Sequence, residues 1–477
     1  MNTVGLWLAG AERRGGGEAL AVRTPFTDSL VATVDTASPQ DVAEAVESAY
    51  RCFKSTMRLM PVHRRVAILE KAADLLDARA EDIARMLARE SGKPISLCRV
   101  EARRGSDILH LAAESAKFVT GEIVPLDALA GADNRVGLAL RMPLGVVAAL
   151  SPFNAPINLS LQKVAPALAA GCTVVLKPAE QTPSTVLQLG PIFAEAGLPA
   201  GALSILPGRA ETGQALVRHP RVAVVSFTGS SAVAEKIQAS IGIKKVIYEL
   251  GSVSPNVVCA DADLDQAAQS LVAASFNSSG QICVSAQRIY IERSVWDAFL
   301  GRFLPLVDKL KVGDPLDESV QLGSLIGPAA LDRIETWVAE AVGAGAKVLR
   351  GGRRHEGGRN YMPTVLADVT PSMKVQCQEI FGPVVTVTPF DTDEEAIALA
   401  NDTDYGLRAG VYTQSLKRAF RYARDLDVGG MSINDSSRFR QDNTPTTGVK
   451  RSGVGQEGGR YAYEEYTYLK FVGFNAG

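Results

Sequence analysis

The chain has 477 residues, 46% of them hydrophobic and 21% charged, enough for two or three domains with substantial cores. A formal charge of -2 leaves no global basic field, which argues against nucleic acid or an anionic membrane as the main partner. The six cysteines, at 52, 98, 172, 259, 283 and 377, form no C-x-x-C pair and are too sparse for a disulfide scaffold. No basic region followed by an apolar core stands near Met1, and no run of about 18 apolar residues could span a bilayer, so a soluble, cytoplasmic protein with reduced thiols is expected.

Ser38-Pro39 opens a helical pattern that runs to about residue 54. Pro61 opens another, PVHRRVAILEKAADLLDARAEDIARMLARES, with apolar residues every three or four positions. Helices are therefore expected to dominate the first 120 residues. From Leu144 the period changes. The apolar runs GVVAAL (145–150), TVVLK (173–177), LSIL (203–206) and VAVVSFTG (222–229) alternate with helical segments, which predicts βαβ units and a parallel sheet. A second series follows ELGSVSPNVV (249–258), with strands expected near 286–291, 384–389, 409–412 and 430–433. Two such α/β layers meet in a crevice. NRVGLALRMP (134–143) and EEYTYLKFV (464–472) alternate in the strand manner outside both series and predict a separate sheet.

FNSSGQICVSAQR (276–288) sets Cys283 among small and polar residues. A cysteine nucleophile needs a route to thiolate, an oxyanion stabiliser and a base for later steps. None of His63, His110, His219 and His355 stands in a loop of catalytic character, so a Cys/His hydrolase is weakly supported. Carboxylates are better placed: Glu249 ends a strand beside glycine in YELGS, and Glu379 precedes a turn and strand in QEIFGP. Glutamates at strand ends face the crevice where parallel sheets bind ligands.

The motifs PFNAP (152–156), LKPAE (176–180), FTGS (227–230), ELGS (249–252), GQIC (280–283), EIFGPV (379–384) and GVKRSGVGQEGG (448–459) follow one another as in the NAD(P)-dependent aldehyde dehydrogenase superfamily. The resemblance spans nearly the whole chain and is to the non-acylating, hydrolytic type, in the lactaldehyde, semialdehyde and phosphonoaldehyde dehydrogenase-like subgroup. It implies two Rossmann-like parallel-sheet domains and a small β oligomerisation domain. The NAD-binding domain would take 1–119 and 144–250, the catalytic domain 251–450, and the oligomerisation segment 120–143 and 451–477, in a homodimer or homotetramer.

The chemistry implied by the resemblance makes sense of these residue types. Cys283 would attack the aldehyde carbon, and the side-chain amide of Asn154 with the Cys283 N–H would hold the oxyanion. Glu249 would activate the water that hydrolyses the thioester. Lys177, counted among the catalytic group, and Glu180 would hold the adenine ribose, the carboxylate repelling a 2′-phosphate and favouring NAD over NADP. Gly229 and Ser230 would receive the pyrophosphate at a helix N-terminus. Phe153 and Leu250 would line the cofactor, Glu379 would hold the nicotinamide ribose, and Phe381 would lie against the nicotinamide. No metal is called for. Three departures stand out: Ala234 replaces a second glycine, ELGS replaces ELGG, and TPTTGVK (444–450) replaces an aromatic and two glycines in a loop expected near the substrate entrance.

Phe153, Leu159, Ile282, Val284 and Phe439 would make apolar walls for a small aldehyde. Arg104, Arg438 and Arg440 would be brought to the same tunnel, and guanidinium groups bind carboxylate, phosphate or sulfonate in bidentate fashion. GQIC lacks the arginine that some relatives acting on phosphorylated or phosphonylated aldehydes carry before the cysteine. A short aliphatic aldehyde with an anionic or hydroxylated far end is expected. Glu249 argues against a coenzyme A-acylating dehydrogenase, and dependence on NAD separates the reading from a cysteine thioesterase or amidase.

Overall fold

The computed structural model describes residues 3–357, 359–475 and 477. The apolar runs after Leu144 form the centre of an eight-stranded sheet. Val146–Leu150, Thr173–Lys177, Leu203–Ile205, Val222–Thr228 and Lys245–Glu249 are parallel and mostly buried on both faces, which is why they read as continuous rather than alternating runs. Val146–Leu150 lies between Thr173–Lys177 and Val222–Thr228, so the chain winds outward from it in both directions. The point where strand order reverses opens a crevice at the carboxyl ends of the strands. Antiparallel strands close both edges, Gly453–Val454 on one side and Leu6–Leu8 with Ala11–Arg13 on the other.

Helix Pro39–Ser55 starts as expected, with Ser38 and Asp41 forming a reciprocal capping box. Helices do fill most of the first 120 residues, but two features of the N-terminal region were not expected. Strands occupy much of residues 3–36, including Gly17–Arg23 and Leu30–Thr36; Gly17–Arg23 buries only Leu20 and Val22, too little alternation to signal a strand. The long pattern from Pro61 breaks at Arg79 into Val62–Ala78 and Ala80–Ser91. Arg79 leaves helical geometry (φ −108°, ψ 6°) and its guanidinium pairs with Glu195, and no glycine or proline marks the break.

The second sheet has seven strands, in the spatial order Lys347–Arg350, Thr364–Ala367, Val384–Phe390, Arg288–Glu292, Pro255–Val258, Arg408–Tyr412, Gly430–Ile433. All neighbours are parallel except the first pair. The separate sheet also forms: Arg135–Pro143 pairs antiparallel with Thr467–Asn475, from Pro143↔Thr467 to Arg135↔Asn475, and Glu122–Val124 adds a third strand. The last strand begins at Thr467 rather than 464 because Gly459–Glu465 is helical. Ile123, Val136, Leu140, Leu469, Phe471 and Phe474 leave this sheet's apolar surface exposed. Among the described residues no helix is long and apolar enough to cross a membrane.

Candidate active site

Each strand flanking the reversal point delivers a site segment from its carboxyl end. Pro152, Phe153 and Asn154 follow Val146–Leu150; Gly229 and Ser230 follow Val222–Thr228; Glu249 ends its own strand. A cleft of about 360 Å³ is lined by Phe153, Gly229, Ser230, Glu249, Leu250, Glu379 and Phe381, with Arg333 beside them. A second cavity of about 420 Å³ is lined by Arg104, Leu159, Ile282, Val284, Arg438, Phe439 and Arg440. The residues common to both walls are Asn154, Leu159 and Cys283, so the thiol sits where the two cavities meet. Phe153, expected also as a wall of the aldehyde tunnel, lines only the cleft. Lys177 and Glu180 lie apart from both linings, at the carboxyl end of Thr173–Lys177. Burial pulls the Lys177 ammonium down to about 8, against the charges of Glu180 and Glu211, and its Nζ donates to the Pro178 carbonyl at 3.0 Å.

The cysteine loop is held by backbone geometry that few residues adopt. Helix Leu264–Phe276 ends, and Ser278, Ser279 and Gly280 follow with φ of 53°, 54° and 70°. A Cβ on Gly280 would stand 2.0 Å from the Gly382 carbonyl oxygen, so this loop packs directly on the EIFGP loop. Phe381 is itself at φ 46°, a strained position for an aromatic residue. Gln287 ties the two loops: its Nε2 donates to the carbonyls of Val375 and Gln378, and its Oε1 accepts from the Ile380 N–H. Cys283, Glu379 and Phe381 therefore keep fixed relative positions.

The Cys283 thiol donates to Glu249 Oε1 at 3.3 Å, while Glu249 Oε2 is buried without a partner among the described residues. Burial, then the charge of Glu457, raises Glu249 to about 7; burial and the Glu249 charge push the thiol well above its ordinary value. Glu379 is raised by burial to about 7 although its Oε1 accepts from the Ser252 N–H at 3.0 Å. Asn154 Nδ2 donates to the Gln281 carbonyl at 2.9 Å, and the Cys283 N–H has no acceptor among the described residues. Two donors thus stand beside the sulfur at the junction.

Lys163 and Glu457 were not singled out by the sequence reading. Lys163 is wholly buried and its Nζ donates to Thr228 Oγ1 at 2.6 Å and to Glu457 Oε1 at 2.8 Å. Burial raises Glu457, but Lys163 and Arg440 bring it below its ordinary value, so Glu457 stays anionic while Glu249 titrates. The signal was the single charged residue of Pro156–Ala170, a helix buried along its whole length.

The departures from the family pattern have local explanations. Ala234 is buried in the helix–sheet core, where a methyl group fits. Ser252 contributes its backbone N–H to Glu379, and its hydroxyl bonds only Ser254. The TPTTGVK segment does not line the aldehyde cavity, contrary to expectation; Thr446 and Glu457 exchange backbone hydrogen bonds at 2.9 and 2.8 Å, so the segment sets the position of Glu457.

The three arginines differ. Arg104 makes a bidentate pair with Asp442 at 2.6 and 2.7 Å, and Gln162 holds the same carboxylate at 3.0 Å. Arg440 lies 3.5 Å from Glu457. Arg438 forms no ion pair among the described residues; burial and the neighbouring Arg104 charge lower its pKa against the opposing charge of Asp435, which lines the same cavity.

The cleft fits a dinucleotide. A Cβ on Gly229 would stand 2.4 Å from the Phe227 ring, and one on Gly251 2.6 Å from Glu379 Oε2, so side chains are excluded where a ligand backbone must approach. The N-terminus of helix Ser231–Ile241 opens into the cleft without a side-chain cap, leaving N–H groups for a pyrophosphate. Phe153 and Phe381 face each other edge-on at 5.8 Å, and Arg333 Nε is buried nearby without a partner.

A thiol hydrogen-bonded to a carboxylate, at the junction of a dinucleotide-sized cleft and a small cavity, is an arrangement that fits a nicotinamide-dependent oxidoreductase. The chain belongs to the aldehyde dehydrogenase family, whose sequence profile matches residues 12–472. It is 44% identical to the 3-sulfolactaldehyde dehydrogenase of Priestia aryabhattai, over 96% of this chain and 95% of that protein. Among solved structures it resembles the NAD-dependent aldehyde dehydrogenase of Sinorhizobium meliloti, with a TM-score of 0.97, 35% identity, and coverage of 100% of this chain and 95% of that one. Aldehyde dehydrogenase 21 of Physcomitrella patens, in complex with the reaction product succinate, gives a TM-score of 0.96 at 38% identity, covering 99% of this chain and 98% of that one. The activity is NAD(P)-dependent oxidation of an aldehyde to the acid.

Proposed function

We propose that the enzyme oxidises a short aliphatic aldehyde with an anionic far end, using Cys283 as nucleophile and NAD as the preferred cofactor. The observation that carries the anionic reading is Arg438: it lines the aldehyde cavity without an ion pair among the described residues, the nearby Asp435 standing beyond ion-pair distance, whereas Arg104 is paired with Asp442 and Arg440 lies 3.5 Å from Glu457. An unpaired guanidinium in a desolvated wall is costly unless an anion completes it. The sulfonate of 3-sulfolactaldehyde and the second carboxylate of succinate, handled by the two relatives, are anions of that kind.

In this reading Glu249 takes the Cys283 proton, and the sulfur attacks the carbonyl carbon. Asn154 Nδ2 turns from the Gln281 carbonyl to the developing oxyanion, with the Cys283 N–H as second donor; one such donor lowers a barrier by about 3 kcal/mol. The chemistry a bound nicotinamide supplies is hydride acceptance, which leaves the adduct as a thioester. Once Glu249 has passed the thiol proton on to solvent and is again a carboxylate, it removes a proton from water as the water attacks the thioester, releasing the acid and the thiolate. Gly229, Ser230, Leu250, Glu379, Phe153 and Phe381 would hold the cofactor, with Lys177 and Glu180 at the ribose and Glu180 disfavouring a 2′-phosphate.

An aldehyde panel with NAD and NADP tests this. The expected result is higher kcat/KM for sulfo-, carboxy- or phosphoaldehydes than for neutral aldehydes of equal length, an advantage that salt erodes, and a preference for NAD. Arg438→Ala should raise KM for the anionic aldehyde about tenfold to a hundredfold with kcat largely kept, since a charged hydrogen bond is worth roughly 1.5–3 kcal/mol in ground and transition states alike. Equal losses for neutral and anionic substrates would reduce Arg438 to a structural role.

We propose a cofactor unit (1–119 and 144–250), a catalytic unit (251–450) and an oligomerisation segment (120–143 and 451–477), in a cytoplasmic protein whose six cysteines are free thiols. We expect a homodimer or homotetramer built through the three-stranded sheet, whose exposed Phe471, Phe474 and Ile123 would be liabilities in a monomer. Light scattering should give at least twice 50.6 kDa; a stable single-chain mass at micromolar concentration contradicts this.

A further inference from the structure

Arg440 has different neighbours from the other two arginines. Its side chain is 9% exposed, and its nearest carboxylate oxygen, Glu457 Oε2 at 3.5 Å, falls outside hydrogen-bond geometry. Among the described residues, Arg440 Nε and one terminal nitrogen are buried without acceptors, and Glu249 Oε2 is buried without a donor. Glu457 already has a shorter partner in Lys163, at 2.8 Å. Arg440 also lines the wall that contains Cys283.

The charges around the thiol come from several elements. Glu249 ends one strand, Glu457 and Lys163 form a pair behind it, Glu379 sits on the neighbouring loop, and Arg408 lies on the second sheet with its Nε unpartnered. Lys163 and Glu457 cancel. Glu379 is engaged by Ser252 and has Arg333 nearby. Arg408 and Arg440 remain as fixed cations around the hydrogen-bonded Cys283–Glu249 pair.

We propose that Arg440 is the counter-ion of that pair, keeping one negative charge on it and so maintaining the population from which the thiolate attacks. Moving the proton from Sγ to Glu249 Oε1 relocates this charge without changing the sum, so one fixed cation serves both forms. The Arg440 charge opposes the upward push that burial gives both the thiol and Glu249. Arg408 is held down by burial and by repulsion from Arg440, a strain that an anion at Cys283 relieves. Arg440 acts on the sulfur through its field and is a positioning residue for charge.

The inference rests on Cys283 being the nucleophile, and the test separates the two. Cofactor-free enzyme is treated with iodoacetamide from about pH 5 to about pH 10, and modification of each cysteine is followed by peptide mass. Cys283 should react faster than the other five. Arg440→Gln should slow its alkylation about tenfold near neutral pH and move the midpoint up by about one pH unit or more, while Arg440→Lys, which keeps the charge, stays within about threefold of wild type. Should R440Q fail to fold, R440H, cationic only below about pH 6.5, should show the same slowing at about pH 8. A wild-type profile in R440Q or R440H, or an R440K profile as slow as R440Q, overturns the counter-ion role. Failure of wild-type Cys283 to outpace the other thiols overturns the nucleophile reading instead.

Discussion

Cys283→Ala should lower NADH formation by more than about a thousandfold while NAD affinity, read by fluorescence titration, stays within about threefold. The size of the effect follows from what the thiol does: without the sulfur no covalent adduct forms, and no neighbouring group can replace it. Glu249 lacks the nucleophilicity, and the remaining cysteines do not line either cavity. Cofactor binding survives because Gly229, Ser230, Leu250, Glu379 and Phe381 line the cleft independently of the sulfur, which touches only its inner end. Residual turnover above about a hundredth of wild type contradicts the assignment.

Glu249→Gln should lower steady-state turnover about a hundredfold to ten-thousandfold, the usual contribution of a positioned general base. Glutamine keeps the shape and can still accept from the Cys283 thiol but cannot take its proton, so acylation slows to the rate at which the thiol ionises to solvent, while deacylation, left without its base, should slow further; a burst of NADH close to one per subunit should therefore precede slow turnover. The pH profile gives a second readout. A carboxyl raised to about 7 by burial and by Glu457 is neutral below that pH and a base above it, so wild-type kcat should rise as pH increases through about 7. In E249Q that limb should vanish. A glutamine variant with unchanged turnover and an unchanged limb assigns water activation elsewhere.

Much of the fold was legible because its parallel strands are buried on both faces and read as short apolar runs between helices. The N-terminal strands were not: Gly17–Arg23 buries two side chains and is otherwise polar or small, so its place depends on pairing with Leu30–Thr36 rather than on its own pattern. The break at Arg79 likewise carries no glycine or proline to mark it. Cys283, Glu249, Asn154 and the cleft residues were visible because each occupies a short motif, Glu249 and Asn154 at strand ends and Cys283 in the loop after helix Leu264–Phe276. Lys163, Asp442, Arg408 and the role of Glu457 were not, because each acts through a partner up to hundreds of positions away: Lys163 with Glu457, Arg104 with Asp442. The three arginines looked equivalent in sequence and separate only when their carboxylate neighbours are known. A local motif can announce a nucleophile, but the charge balance around it is a property of the folded pocket.

The central claim is that an aldehyde becomes a thioester on Cys283 and that Glu249 is needed to release it. The most direct measurement is peptide mass spectrometry of E249Q quenched in acid seconds after mixing with NAD and a good aldehyde from the panel. The account predicts an acyl adduct, equal in mass to the aldehyde less two hydrogens, added across the loss of none of the other residues and confined to Cys283 in most subunits. An unmodified Cys283 in enzyme that has released its burst of NADH, or an adduct on any other residue, would contradict it.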